Sequence, residues 1–130
     1  MAYVEQWLSA ELSALTAPAF PLTAPQGQAL PIVIYKRTGT SRERTLANAI
    51  GLPVASFEIN IYSLTYAEAK SLSEEIRSAL DEYVGTNATG VVVERSTMTD
   101  ESDDIDLPTD GQSKPIYIVS LNFEVRFQEV

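Results

Sequence analysis

The chain contains no cysteine and no histidine. Without cysteine there is no disulfide, no thiolate metal ligand and no thiol nucleophile. Without histidine the commonest general base and the commonest transition-metal ligand are missing, so Ser-His-Asp chemistry and most zinc centres are excluded by inventory. Bases are scarce: nine Lys and Arg stand against eighteen Asp and Glu, a formal net charge of −9. That sign opposes a grip on nucleic acid, which needs cations to displace counterions, and adhesion to anionic membrane surfaces. No apolar run approaches the roughly 20 residues that cross a bilayer. No basic segment precedes the first apolar stretch, and Glu5 and Glu11 interrupt it, so the N-terminus does not read as a signal peptide and an intracellular origin is expected. The Asn87-Ala88-Thr89 sequon carries no weight without export.

What is present suffices for one domain spanning 1–130. The hydrophobic fraction of 45% is ordinary for a globular protein with a real core. In residues 3–15, Val4, Trp7, Leu8, Leu12 and Leu15 recur at three- and four-residue spacing, which predicts a helix. Three prolines in "TAPAFPLTAPQG" stop it. Ile32, Val33 and Ile34 form a short strand entered through Pro31. "VASFEINIYS" alternates, with Ala55, Phe57, Ile59 and Ile61 on one side and Ser56, Glu58, Asn60 and Tyr62 on the other. A second helix follows, opened by Thr65 and Glu68 in a capping-box pattern, carried by Ala69, Leu72, Ile76, Leu80 and Tyr83, and stopped at Gly85. "TGVVVERS" predicts a third strand. The last and longest strand has Tyr117, Val119, Leu121, Phe123, Val125 and Phe127 on one face. The expected fold is α+β in the order α-β-β-α-β-β: one mainly antiparallel four-stranded sheet with two helices packed on one face.

Two long connections, 38–53 and 97–113, are expected to be loops, each linking the strands of a hairpin. The second gathers six acids, Asp100, Glu101, Asp103, Asp104, Asp106 and Asp110, and no base. It lacks the glycine and the closing glutamate of an EF-hand, so it carries no calcium pattern. The first is basic: Arg42 and Arg44 flank Glu43, but "GTSRER" is neither a P-loop nor a dinucleotide turn. Acids on a surface loop without an apolar pocket give no catalytic pair. No catalytic residue, cofactor or metal is expected.

"APQGQALPIVIYKRTGT" and "SFEINIYSLTYAEAKSLSEEIRSALD" resemble the tail-completion proteins of long-tailed bacteriophages, also called tail terminators or tail-to-head joining proteins. The resemblance covers nearly the whole chain and carries no catalytic signature. It implies a homo-hexameric ring in the virion that caps the tail tube protein and meets the neck or head-completion protein, with DNA passing through the lumen without specific binding. Six copies would carry six times −9, or −54. Lumenal carboxylates repel phosphate within about 8 Å at physiological salt. On this reading Asp100, Glu101, Asp103, Asp104, Asp106 and Asp110 face the lumen or a docking partner, and Arg42 and Arg44 face a neighbouring subunit. The alternatives are a neck or head-closure connector, and a small soluble domain of another class that binds a ligand in an apolar pocket.

Overall fold

The computed structural model describes residues 3–42, 53–87, 89–108 and 114–128. Its elements run α1 (Val4–Leu12), β1 (Ala19–Pro21), β2 (Ile32–Ser41), β3 (Val54–Ser63), α2 (Tyr66–Leu80), β4 (Tyr83–Thr86), β5 (Val92–Asp106) and β6 (Ile116–Phe127). The strands form one mixed sheet in the order β1-β2-β3-β6-β5-β4. β1 runs parallel to β2; every other neighbouring pair is antiparallel.

The centre of the sheet follows from period-two patterning. Ala55, Phe57, Ile59 and Ile61 of β3 stand opposite Val125, Phe123, Leu121 and Val119 of β6. All eight are at most 1% exposed. Both helices cover this face. α2 lays Ala69, Leu72, Ile76 and Leu80 onto it, and α1 adds Val4, Trp7, Leu8 and Leu12. Trp7 meets Tyr83 of β4 edge to face at 5.2 Å, a geometry that suits the ring quadrupoles. Each large apolar side chain so buried contributes about 1.5–3 kcal/mol.

Local chemistry sets the helix ends. Gln6 Oε1 accepts the Tyr3 N–H at 2.8 Å at the start of α1. Past its end, the Ser13 hydroxyl donates to the Ala10 carbonyl at 2.6 Å. Thr65 caps α2 by accepting the Glu68 N–H at 3.3 Å. The Glu68 carboxylate does not return to Thr65. It takes the Ser63 hydroxyl at 2.6 Å, and Ser63 Oγ accepts the Thr65 N–H at 3.2 Å. The cap is thus relayed through the last residue of β3. Asn87 is absorbed structurally as well: its amide donates to the Trp7 carbonyl and to Glu11 at 3.3 and 3.2 Å.

The four-stranded sheet and the α-β-β-α-β-β order are overturned. The sheet has six strands and is mixed, and the order is α-β-β-β-α-β-β-β. The first addition, β1, is three residues long and ends in Pro21, so it shows no periodicity and sits at an edge, where a missing N–H is tolerated. The second, β4, begins three residues after α2 ends. Gly85, expected as a helix stop, lies within β4. The turn is made by Glu82, at φ 61, whose N–H donates to the Ser96 carbonyl at 2.6 Å. Both expected loops shorten, because β2 continues through Ser41 and β5 through Asp106. The acidic segment is therefore a strand from Thr97 to Asp106. Its acids have low strand propensity, but the ladder to β6 overrides that preference.

Phe123→Ala should lower stability by about 3–5 kcal/mol, the usual cost of emptying a buried aromatic site. Ser78→Ala on the exposed side of α2 should change it by no more than about 0.5 kcal/mol. Urea denaturation followed by tryptophan fluorescence measures both.

Candidate functional site

The long acidic strand is the least conventional part of the sheet. β4 pairs with β5 only between Val92 and Ser96. The Met98 N–H is taken by Asp81 Oδ1 at 2.9 Å. Beyond it, one side of β5 has no strand beside it among the described residues. The ladder fixes which groups face that edge. The Phe127 N–H donates toward β3, to Pro53, and the Gln128 N–H donates toward β5, to Val92. Alternation along β6 then directs Asn122, Ser120, Ile118 and Ile116 to β5, where they pair with Asp100, Ser102, Asp104 and Asp106. The N–H groups of Glu101, Asp103 and Ile105 are left on the open edge. Two are satisfied locally: Asp100 Oδ1 accepts the Glu101 N–H at 2.9 Å, and Asp104 Oδ1 accepts the Ile105 N–H at 2.8 Å. Charged side chains on an edge, here with their own N–H groups occupied, resist pairing with a foreign strand.

Glu101 and Asp103 stand opposite Leu121 and Val119, so they lie on the helix-bearing face. There α2 grips them. The Tyr66 hydroxyl donates to Asp103 Oδ2 at 2.5 Å, and Lys70 Nζ lies 3.3 Å from Glu101 Oε1 and 3.4 Å from Asp103 Oδ1. The Tyr66 ring sits 6.0 Å from the Tyr117 ring, with the Lys70 ammonium 5.8 Å from its centroid. The hydrogen bond from Tyr66, with Lys70 nearby, holds the Asp103 carboxyl below its ordinary 3.8. The same bond pushes the Tyr66 hydroxyl above its ordinary 10.0. Burial pulls the Lys70 ammonium down, but the hydrogen bonds and charges of Glu101 and Asp103 outweigh it, so its pKa is raised.

The anticipated site residues are thus divided. Glu101 and Asp103 face α2. Asp100, Asp104 and Asp106 share the opposite, helix-free face with Asn122, Ile118 and Ile116. Arg42 is exposed just past the end of β2. Arg44 and Asp110 lie outside the described residues. Among the described residues no cluster of three acids is placed to hold a metal ion. The sequence reading missed Tyr66 and Lys70. Their four-residue spacing on one helix face, off the apolar stripe, was the available signal.

A second feature lies at the other side of the sheet. An apolar groove with a volume of about 460 Å³ opens between α1 and β2. Pro21, Leu22, Tyr35 and Phe57 line it, and Lys36 and Arg37 stand at its rim. Arg37 reaches Glu5 of α1 at 3.1 Å, and Lys36 reaches Glu58 at 3.8 Å. Leu22 is 74% exposed beside it.

Neither feature joins a nucleophile to a base. What the molecule offers is a set of surfaces on a sheet whose edges are partly open among the described residues, the arrangement of an assembly component. Residues 4–126 match the family model described as tail completion protein gp17. The chain belongs to that family, and so is a structural protein of the bacteriophage virion, located at the tail or neck and assembling with other tail proteins. The fold is similar to that of a chain in a solved structure titled "Virion of native gene transfer agent (GTA) particle". The two are 16% identical with a TM-score of 0.66, over 94% of this chain and 84% of that one. No curated protein matches in sequence.

Because the folded state holds Asp103 more acidic than the unfolded chain does, the clamp is fully present above pH 3.8 and is lost as pH falls through the lower folded value. Tyr66→Phe should move the Asp103 titration back up toward 3.8, and should speed hydrogen exchange at Ser102 and Asp104 but not at Phe123. Carboxyl chemical shifts and amide exchange by NMR read the two effects.

Proposed function

We propose that six copies assemble head to tail into a ring that terminates the tail tube and joins it to the neck, with DNA passing through the lumen unbound. Membership of the tail completion family over residues 4–126 carries this reading. The likeness of fold to a chain from a virion agrees with it. Charge supports the conduit. Each subunit brings −9, so the ring brings six times that, −54, and the wall of such a lumen has no use for phosphate contacts. Arg42 and Arg44 serve the subunit junction in this reading, facing the acids Asp100 to Asp106 of a neighbour. No step of the role calls for a catalytic group, metal or cofactor.

Light scattering on the purified protein should give about 85 kDa, six times 14.2 kDa, in the concentration range where tails assemble. Added to isolated tails and to filled capsids separately, the ring should bind the tails. Binding to capsids alone would reassign it to head closure. Arg42→Ala with Arg44→Ala should raise the dissociation constant of the ring at least tenfold and flatten its salt dependence, since a charge left unpaired at an interface costs about 2–5 kcal/mol. Unchanged assembly of that double variant would remove both arginines from the junction.

Replacing Asp100, Glu101, Asp103, Asp104 and Asp106 by Asn or Gln should leave the core folded. Replacing the same five by Lys should create DNA binding that weakens steeply with salt, because each phosphate contact releases counterions. A gel-shift series at two salt concentrations tests it.

A further inference from the structure

The end of β5 and the residue after it carry an apolar knob. Ile105 and Leu107 are 40% and 66% exposed, and Asp104 and Asp106 flank them in the sequence. Across the sheet lies the groove of Pro21, Leu22, Tyr35 and Phe57, with Lys36 and Arg37 on its rim. One surface is apolar with acids beside it; the other is apolar with two bases beside it, Arg37 paired with Glu5 and Lys36 with Glu58. A volume of about 460 Å³ is within the range that holds inserted ligand groups, roughly 300–1,000 Å³.

The knob cannot fill the groove of its own subunit. β2 and β5 are three strand spacings apart. Lys36 is level with Glu58, whereas Ile105 is level with Tyr117 and Ser63. At about 4.8 Å per strand and 3.3 Å per residue, the two are roughly 20 Å apart. They are also turned correctly for a neighbour. Successive antiparallel pairings make β5 run opposite to β2. A copy beside the β2 edge, slid by about six residues, roughly 20 Å, along the strand direction, brings Asp100 to Asp106 along Lys36 to Arg42, two stretches of equal length. Among the described residues no strand lies beside that stretch of β2, since β1 pairs only as far as Tyr35.

We propose that the occupant of the groove is a second copy of this chain: Ile105 and Leu107 of one subunit seat against Leu22 and Tyr35 of the next, and the acids of the β5 edge lie against Lys36, Arg37 and Arg42. Contact is through side chains. Asp100 and Asp104 keep the edge N–H groups occupied, so the two sheets abut without merging their ladders. The α2 clamp on Glu101 and Asp103 holds the hairpin in the orientation the neighbour meets. This assignment rests on the ring reading and names its junction.

The cysteine-free chain makes the test direct. Leu22→Cys with Leu107→Cys places one thiol on each surface, both at exposed positions. Oxidation at a concentration where light scattering reports the hexamer should give a ladder of disulfide-linked species up to six subunits on a denaturing gel. Leu22→Cys with Val84→Cys, whose second site is equally exposed on β4, should give none. Leu107→Ser alone should weaken assembly at least tenfold. A hexamer that fails to link through 22 and 107, or that tolerates Leu107→Ser unchanged, overturns this junction and leaves the ring standing. A protein that stays monomeric at every concentration overturns both.

Discussion

Residues Val54–Ser63 and Ile116–Phe127 are paired along ten consecutive positions without a register shift, and every other part of the molecule is placed by that contact. It sets which face is apolar, and so where both helices lie. A slip of one residue would turn Phe57, Ile59, Leu121 and Phe123 to the opposite face. Their burial makes that slip prohibitive. The outer strands have more freedom. The ladder of β2 shifts between Arg37 and Gly39, and that of β5 shifts near Arg95 and again near Asp100. Such irregularities bend a strand and re-aim its side chains. The rigid pair is central, and the surfaces available to partners are carried on the bent strands beside it.

The crowding of acids into one short stretch has a physical reason within a single subunit. A strand of fifteen residues that, among the described residues, is paired on one side only beyond Ser96 exposes a row of backbone groups to any passing strand. Carboxylates at Asp100 and Asp104 take two of the exposed donors, and the remaining charges make approach by another acidic edge costly. Protection of the edge and selection of a partner are one property here. In the proposed joint the edge refuses its own kind and accepts a basic surface.

Much of this was legible in the residues. The α2 stripe, the β3 alternation and the six-residue apolar face of β6 each repeat a period long enough to be unambiguous. β1 and β4 were not, because three or four residues cannot display a period. β5 was misread for another reason. Its first residues, Val92 and Val93, look like a strand, but its last seven are mostly acids, and composition there argues for solvent. Only β6, which begins at Ile116, supplies the hydrogen bonds that make Asp100 to Asp106 extended. The acids were found by inspection of the sequence, but their division between two faces required the register. Tyr66 and Lys70 were hidden because a helix face off the apolar stripe is ordinarily just solvated.

The asymmetry of the two open stretches bears on the kind of assembly they permit. A twofold contact would set each stretch against itself: the acidic edge on an acidic edge, or the bases near Lys36 on the same bases. Both arrangements bring like charges together, and the first would also need Asp100 and Asp104 to release the N–H groups they hold. A contact between unlike surfaces meets neither obstacle. Unlike surfaces on opposite sides of one body generate a repeating series, which closes into a ring when the rotation per subunit divides a full turn and otherwise runs on as a fibre. With the helices confined to one face of the sheet, each subunit is thicker on that side, so neighbours joined edge to edge are tilted rather than coplanar. In the proposed ring the fold would supply the two elements that closure requires: a directional joint and a constant sense of turn.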